Sequence, residues 1–358
     1  MSQPGTTRQP WLDIVRAFAI LCVVLCHCVE GVYSFDPAAV RLLGAGQGGF
    51  AVSMYTLGRI GGVPLFLMLS GYLLLDRDYD GNGCMIFWKK NWLRLLICTQ
   101  VWIVLYELFL LVYQGQPIPV GYLVRALLFL EPSSMYHMWY MPMLLGIYLL
   151  VPLAATALKK ISVKVLWFPL LVLFAYVFCV PGYTMLATLF GKTVPVIQFP
   201  LGFSGGAYGI YFVSGYLIKK GMFSKIKTWI LWTVLVFSFA AMVALQWYGY
   251  GKGMAAGVWY DFPLVYICAV SLFELAQRFR NKLGYNPFCE LLSRYSFAIF
   301  LLHIMVRAVM LPWINGLNLW SPLKMCLAWD AFALLSLLVA VLFARIPKVG
   351  KYILYVKK

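Results

Sequence analysis

The sequence predicts an all-α integral membrane protein, one bundle of about ten transmembrane helices with both termini cytoplasmic. Three observations carry this. Of the 358 residues, 63% are hydrophobic and only 11% are charged, whereas an ordinary soluble domain is about a quarter charged. Stretches free of Asp, Glu, Lys and Arg recur at 61–75, 132–158, 165–191, 193–218, 228–251 and 308–323, several as long as the roughly 20 residues a spanning helix needs. Barrel-type alternation is absent, so in lipid, where backbone groups must bond to one another, these stretches read as helices.

Lysine and arginine placement turns the stretches into a topology. The first span is expected at 11–29, and no small-x-small cleavage site follows it, so it reads as a retained helix rather than a leader. The second, at 60–76, contains Gly61, Gly62, Pro64 and Gly71, the composition of a kinked helix that neighbours approach closely. The third is expected at 92–113 and the fourth at 138–158. Between them, 121–130 is short and interrupted by Arg125, and counting it as a span would put Lys159, Lys160 and Lys164 outside. It reads as a half-helix or interfacial segment on the outer side. Spans at 165–182, 201–218, 228–249, 259–277, 295–314 and 323–344 complete the set.

With the N-terminus inside, 22 of the 29 Lys and Arg fall in cytoplasmic clusters, the bias expected of an inner or plasma membrane protein. The same bias explains the +17 net charge. Basic residues shared among every second loop make no stripe, which argues against a nucleic-acid partner. Short connections leave one membrane domain over 1–358.

The chemistry-bearing residues begin in "RAFAILCVVLCHC", residues 16–28. At 100° per residue Cys22, Cys26 and Cys28 all lie off the face of His27. The remaining cysteines make no C-x-x-C pair, so the cysteines read as buried packing residues and no metal site is expected. Arg16 and His27 differ. Eleven residues bring them within 20° of the same phase, about 16 Å apart along the axis, too far to touch but within reach of one elongated ligand. Asp13 and Glu30 extend this polar stripe. Ionisable groups in a spanning segment are costly and line cavities or pathways.

Only two other histidines exist. His137 opens "HMWYMPMLLGIYLLVP". His303 lies in "SRYSFAIFLLHIMVR", with Ser296 and Arg307 near its face. Arg59 precedes Ser70 by eleven residues in "RIGGVPLFLMLSGYLLL", repeating the first-span geometry. Glu107, Asp261 and Asp330 fall with His27, Arg59 and Arg307 in the outer half and suggest a hydrated cavity open outward. Glu274 is a further charge within a span. An enzyme and a transporter or flippase for a small polar solute or glycan fit this pattern equally.

The run "WLDIVRAFAILCVVLCH" resembles the signature of the membrane-bound acyltransferase-3 family, an Arg and a His separated by ten residues in the first helix. "GRIGGVPLFLMLSGYLLL", "YHMWYMPMLLGIYLLVP", "VWYDFPLVYICAV" and "SRYSFAIFLLHIMV" follow in the order of the family's short O-acetyltransferase members. The resemblance spans essentially the whole chain. It implies a ten-helix domain that moves an acyl group, usually acetyl from acetyl-CoA, to a hydroxyl of a surface glycan or lipid-linked sugar, with no permanently bound cofactor. Arg16 and His27 match the essential pair, Arg59 the second-helix arginine, and Ser70 with Gly71 its Ser-Gly pair. His137 and Trp139 match the His-x-Trp motif and His303 the late histidine. Phe66-Leu67 departs from the frequent Phe-Phe. The family's amino-acid racemase niche calls for a soluble catalytic domain, and neither that domain nor an SGNH-type domain is expected here.

Transfer from a thioester to an alcohol needs a base and a hydrogen-bonding or positive environment for the oxyanion. His27 is expected as base or acyl carrier, oriented by Glu30, with Arg16 and His303 in the catalytic set. Arg16, Lys89, Lys90 and Arg94 are the cytoplasmic cations expected to hold the CoA phosphates, although the last three also satisfy the positive-inside bias alone. Arg59, Ser70, His137, Trp139, Asp261 and Arg307 are expected at the acceptor site.

Overall fold

The computed structural model describes residues 8–192, 206–346 and 348–356. Among them there are helices and turns and no strand. The elements are α1 (Pro10–Val32), α2 (Pro37–Leu42), α3 (Gly44–Gly61), α4 (Val63–Leu74), α5 (Gly81–Phe87), α6 (Leu93–Gln114), α7 (Val120–Leu127), α8 (Tyr140–Lys159), α9 (Trp167–Leu173), α10 (Val180–Leu189), α11 (Gly206–Lys219), α12 (Thr228–Gly251), α13 (Pro263–Arg278), α14 (Pro287–Gly316) and α15 (Ser321–Ala344). π-helical turns join α5 to α6 and α9 to α10, a 3₁₀ turn at Tyr136–Trp139 leads into α8, and a further π turn, Val349–Ile353, follows α15. Among the described residues, eight helices or continuous helical stretches are long and apolar enough to cross a membrane. The expected spans at 201–218 and 259–277 are helices of 14 and 16 residues, α11 and α13; residues 201–205 lie outside the described residues. The expected half-helix at 121–130 is α7.

The expected 60–76 span is corrected: the helical stretch runs from Gly44 to Leu74 and breaks at Gly62, whose φ of −80° and ψ of −105° are not helical. Pro64 lies at the start of α4, where its missing N–H costs nothing. Upstream polar and glycine residues hid the first half from hydropathy.

Helix α1 is the axis. It packs on α3, α4, α13, α14 and α15, and Ala19, Ile20, Val24, Cys28 and Val29 have no exposed surface. Its cysteines pack as the helical phase suggested: Cys22 and Cys26 meet Gly58 and Gly61 of α3, and none is in a disulfide. Helices α9, α10 and α12 leave large apolar side chains such as Phe168, Tyr183 and Phe237 exposed, as lipid contact requires.

Salt bridges tie one end of the bundle together. Asp76, just past α4, holds Lys219 at 3.1 Å and Lys220 at 2.5 Å, and Asp78 pairs with Lys159 at the end of α8. Arg8 joins Asp13 of α1 to Glu290 of α14, and Arg278 at the end of α13 binds Glu274 and the carbonyls of Phe223, Ser224 and Ile226. Glu274 thus belongs to this end. Arg8, Lys159, Lys219, Lys220 and Arg278, which the sequence assigned to one face, supply these contacts.

Helix α4 crosses α11 at close range. A Cβ at Gly71 would lie 1.7 Å from the Phe212 carbonyl oxygen, and one at Gly215 1.9 Å from that of Met68. Small residues at such points let backbones meet where lipid supplies no hydrophobic drive. Gly71→Ala and Gly215→Ala are therefore each expected to destabilise the folded protein by about 2 kcal/mol or more. Gly146→Ala, with nothing within 4 Å, is expected to be neutral in the same unfolding assay in detergent.

Candidate active site

At the opposite end of α1 from the Arg8–Asp13 pair, a cavity of about 430 Å³ is lined by residues of α1, α3, α4, the 3₁₀ turn, α8, α14 and the loop before α13. Its polar groups centre on Glu30, one turn beyond His27 on α1. Glu30 Oε2 accepts from His27 Nδ1 at 2.8 Å and from the Tyr136 hydroxyl at 3.1 Å. Oε1 accepts from the Tyr55 hydroxyl at 3.0 Å and faces Arg59 Nη2 at 3.5 Å. Arg59 Nη2 also donates to Tyr55, and Arg307 Nη1 donates to Tyr136 at 3.3 Å. One carboxylate therefore ties α1 to α3 directly and to α14 through Tyr136.

Because a carboxylate only accepts, the proton of His27 resides on Nδ1. Its Nε2 then carries a lone pair and has no partner among the described residues. This is the arrangement of a general base held in one tautomer.

Arg59 is 5% exposed. Its guanidinium carbon lies 3.9 Å from the Trp259 ring centroid, 4.7 Å from that of Tyr55 and 5.1 Å from that of Tyr260, an aromatic cage that favours a desolvated cation. Arg59 Nε is buried without a partner. Gln246 of α12 fixes the loop that supplies this cage, donating to Thr56 of α3 at 2.8 Å and accepting from the Val258 backbone at 3.2 Å.

The three histidines converge. The ring of His27 is 5.1 Å from that of His303 and 6.4 Å from that of His137, and the latter two are 5.3 Å apart. His303 Nδ1 faces the carbonyls of Phe300 at 2.7 Å and Ile299 at 3.2 Å, so it donates and leaves Nε2 as an acceptor. No group of three His, Cys, Asp or Glu among the described residues has metal-binding geometry.

A slot of about 40 Å³ with apolar walls adjoins the cavity and shares Val23, Val63, Tyr140 and Phe300 with it; Phe66, Ser296 and Phe297 line the rest. Val23 lies between His27 and Arg16 on α1, so the slot leads towards the Arg16 end. There Arg16 Nη1 donates to Ser293 at 3.3 Å, and Ser293 donates to Asp13 at 2.6 Å.

Of the residues expected from sequence, His27, Glu30, Arg59, His137 and Trp139 line the cavity, with His303 and Arg307 in contact with its walls. Ser70 does not join them; it neighbours Tyr148, which lies within electrostatic range of Arg16. The equal-phase argument from Arg59 to Ser70 assumes a continuous helix, and Gly62 breaks it. Asp261 is not in the wall either, because its neighbours Trp259 and Tyr260 turn onto Arg59 while its carboxylate sits by Tyr208 and Tyr211. Lys89 and Lys90 are exposed on the π turn between α5 and α6, where an extra residue in the turn rotates them outward. Arg94 stacks 4.4 Å over Tyr355. Glu107 is buried by Tyr122 of α7, and Asp330 is exposed on α15; neither lines the cavity. Residues not singled out from sequence, Tyr55 and Tyr136, supply half of the contacts to Glu30. Tyr55 stands one turn before Arg59 on α3, a spacing that places both on one face.

A family profile described as an acyltransferase domain matches residues 9–345. Among curated proteins, "Acyltransferase MdmB" of Streptomyces mycarofaciens is 26% identical over 205 residues, 54% of this chain and 51% of that protein. The chain thus spans about half the length of that relative. No solved structure matches.

Removing Glu30 leaves Arg59 caged without its counter-charge. Glu30→Gln is expected to cost about 3 kcal/mol of stability. In the Glu30→Gln/Arg59→Met double variant the loss is expected to be smaller than the sum of the single losses, a coupling that unfolding measurements on all four proteins would read.

Proposed function

The chain belongs to the acyltransferase family whose domain it matches over residues 9–345, and on that premise we propose that it transfers acetyl from acetyl-CoA to a hydroxyl of a surface glycan or lipid-linked sugar. The observation that carries the proposal is a single cavity holding His27 Nε2 free, His27 Nδ1 tied to Glu30, and the unpartnered N–H of Arg59.

The acceptor hydroxyl gives its proton to His27 Nε2 as its oxygen attacks the thioester carbonyl. Glu30 stabilises the imidazolium that forms. The carbonyl oxygen becomes an oxyanion stabilised by the positive charge of the caged Arg59 guanidinium. Collapse expels the CoA thiolate, which takes the proton back from His27. An acyl-His27 intermediate is the two-step variant of the same geometry.

The donor enters from the Arg16 end. Arg16 and His27 stand about 16 Å apart along α1, and the apolar slot that adjoins the cavity is the route we propose for the thioester arm. Arg16 and Arg94 remain the cations proposed for the CoA phosphates, with Lys89 and Lys90 as outlying surface charge. In this reading α11 and α13 complete a ten-span bundle in the inner or plasma membrane, with both termini cytoplasmic. That orientation puts the basic end of the bundle on the cytoplasmic side.

With purified protein in nanodiscs, His27→Ala is expected to abolish acetyl transfer while acetyl-CoA still binds. Arg16→Ala is expected to weaken acetyl-CoA binding by about tenfold, the loss of one charge-assisted contact. Full transfer by His27→Ala would overturn the catalytic assignment. Uptake of solute by vesicles without any transfer would favour a transporter.

A further inference from the structure

Hydrogen-bond accounting around the cavity leaves two imidazole nitrogens that the transfer reaction does not use, His303 Nε2 and His137 Nδ1, and of these two rings His137 is the one that lines the cavity. His137 is 2% exposed and lines the cavity, yet its Nδ1 has no partner. Its other nitrogen is fixed. The Tyr106 hydroxyl has one proton and gives it to the Leu301 carbonyl, a group that can only accept. The 2.9 Å contact between Tyr106 and His137 Nε2 is therefore donated by the imidazole. That assignment puts the proton on Nε2 and a lone pair on Nδ1.

A lone pair on a buried ring, in a cavity wall and without a donor, is costly unless something arrives to meet it. His27 Nε2 is a second acceptor in the same wall, and the two rings are 6.4 Å apart. Two hydroxyls on neighbouring or next-neighbouring carbons of one ring bridge such a gap, each donating to one imidazole. The flat faces of Trp139, Tyr140 and Trp259 offer apolar surface for the C–H side of a saturated ring.

We propose that His137 reads a second hydroxyl of the acceptor, so that the substrate class is a cyclic diol or polyol with a free hydroxyl close to the acylated one. The assignment rests on the acyl-transfer reading for which hydroxyl is acylated, but the recognition of two hydroxyls stands on the hydrogen-bond inventory alone. Tyr106 is then a positioning residue that sets the tautomer of His137.

The test uses the full chain in nanodiscs and small probes: the cyclohexane-1,2-diols and 1,3-diols, each beside its monomethyl ether, which keeps the ring and loses one donor. Binding is read by saturation-transfer NMR and by quenching of the cavity tryptophans, and transfer by release of CoA from acetyl-CoA. At least one diol is expected to bind about fivefold tighter than its ether, the worth of one neutral hydrogen bond. In His137→Phe, which keeps a flat ring and loses the Nδ1 acceptor, the preference is expected to fall below about twofold. Tyr106→Phe, which frees the tautomer while keeping the imidazole, is expected to weaken it too. Equal binding of diols and ethers by the unaltered protein overturns the proposal without recourse to any variant, as does an undiminished preference in folded His137→Phe. Diol preference without acetyl transfer would retain the two-hydroxyl site and overturn the proposed reaction instead.

Discussion

A carboxylate inside an apolar bundle has to be compensated on all of its lone pairs, and Glu30 sets that demand for the end of the bundle that holds the cavity. It sits in the last turn of α1, where the helix dipole is negative and adds to the burden. Four donors answer it: His27, Tyr136, Tyr55 and Arg59. They come from α1, α3 and the turn before α8, and Arg307 of α14 supports Tyr136. The position of these elements is thus fixed by polar contacts rather than by packing alone, and the cavity is the space they enclose.

The requirement propagates outward. Arg59 is usable as a counter-charge only because Trp259, Tyr55 and Tyr260 cage it, and Trp259 and Tyr260 are held there because Gln246 pins their loop to α3. α3 in turn approaches α1 closely because Gly58 and Gly61 face Cys22 and Cys26. A chemically silent feature, small residues facing thiols, thereby sets the distance at which the polar site closes. Each imidazole there has one nitrogen fixed by a hydrogen bond and the other without a partner among the described residues.

The two ends of α1 do different work. At one end Arg16, Ser293, Asp13, Arg8 and Glu290 form a charged lattice suited to a polar headgroup at a membrane surface. At the other, the Glu30 network fills a confined cavity. Between them the walls are apolar and narrow. A molecule that satisfies both ends has to be long and thin in the middle, which is the physical content of the Arg16 to His27 spacing.

The sequence by itself determined the membrane class, the helical character, the alignment of Arg16 with His27, and the family. These depend on composition and on phase within one unbroken helix, and both are local. It also identified Glu30, Arg59, His137, Trp139 and His303, because charges and histidines are conspicuous in apolar stretches. Only the tertiary structure decided that Tyr55, Tyr106, Tyr136, Trp259 and Tyr260 complete the site, since aromatic residues are too common in this chain to stand out. It also removed Ser70, Asp261 and the lysines of the α5–α6 turn from the cavity wall. Phase arguments fail across the break at Gly62 and the π turn at Trp88–Trp92, and they say nothing of a loop. Where a helix is continuous, sequence fixes direction; where the backbone breaks, only packing does.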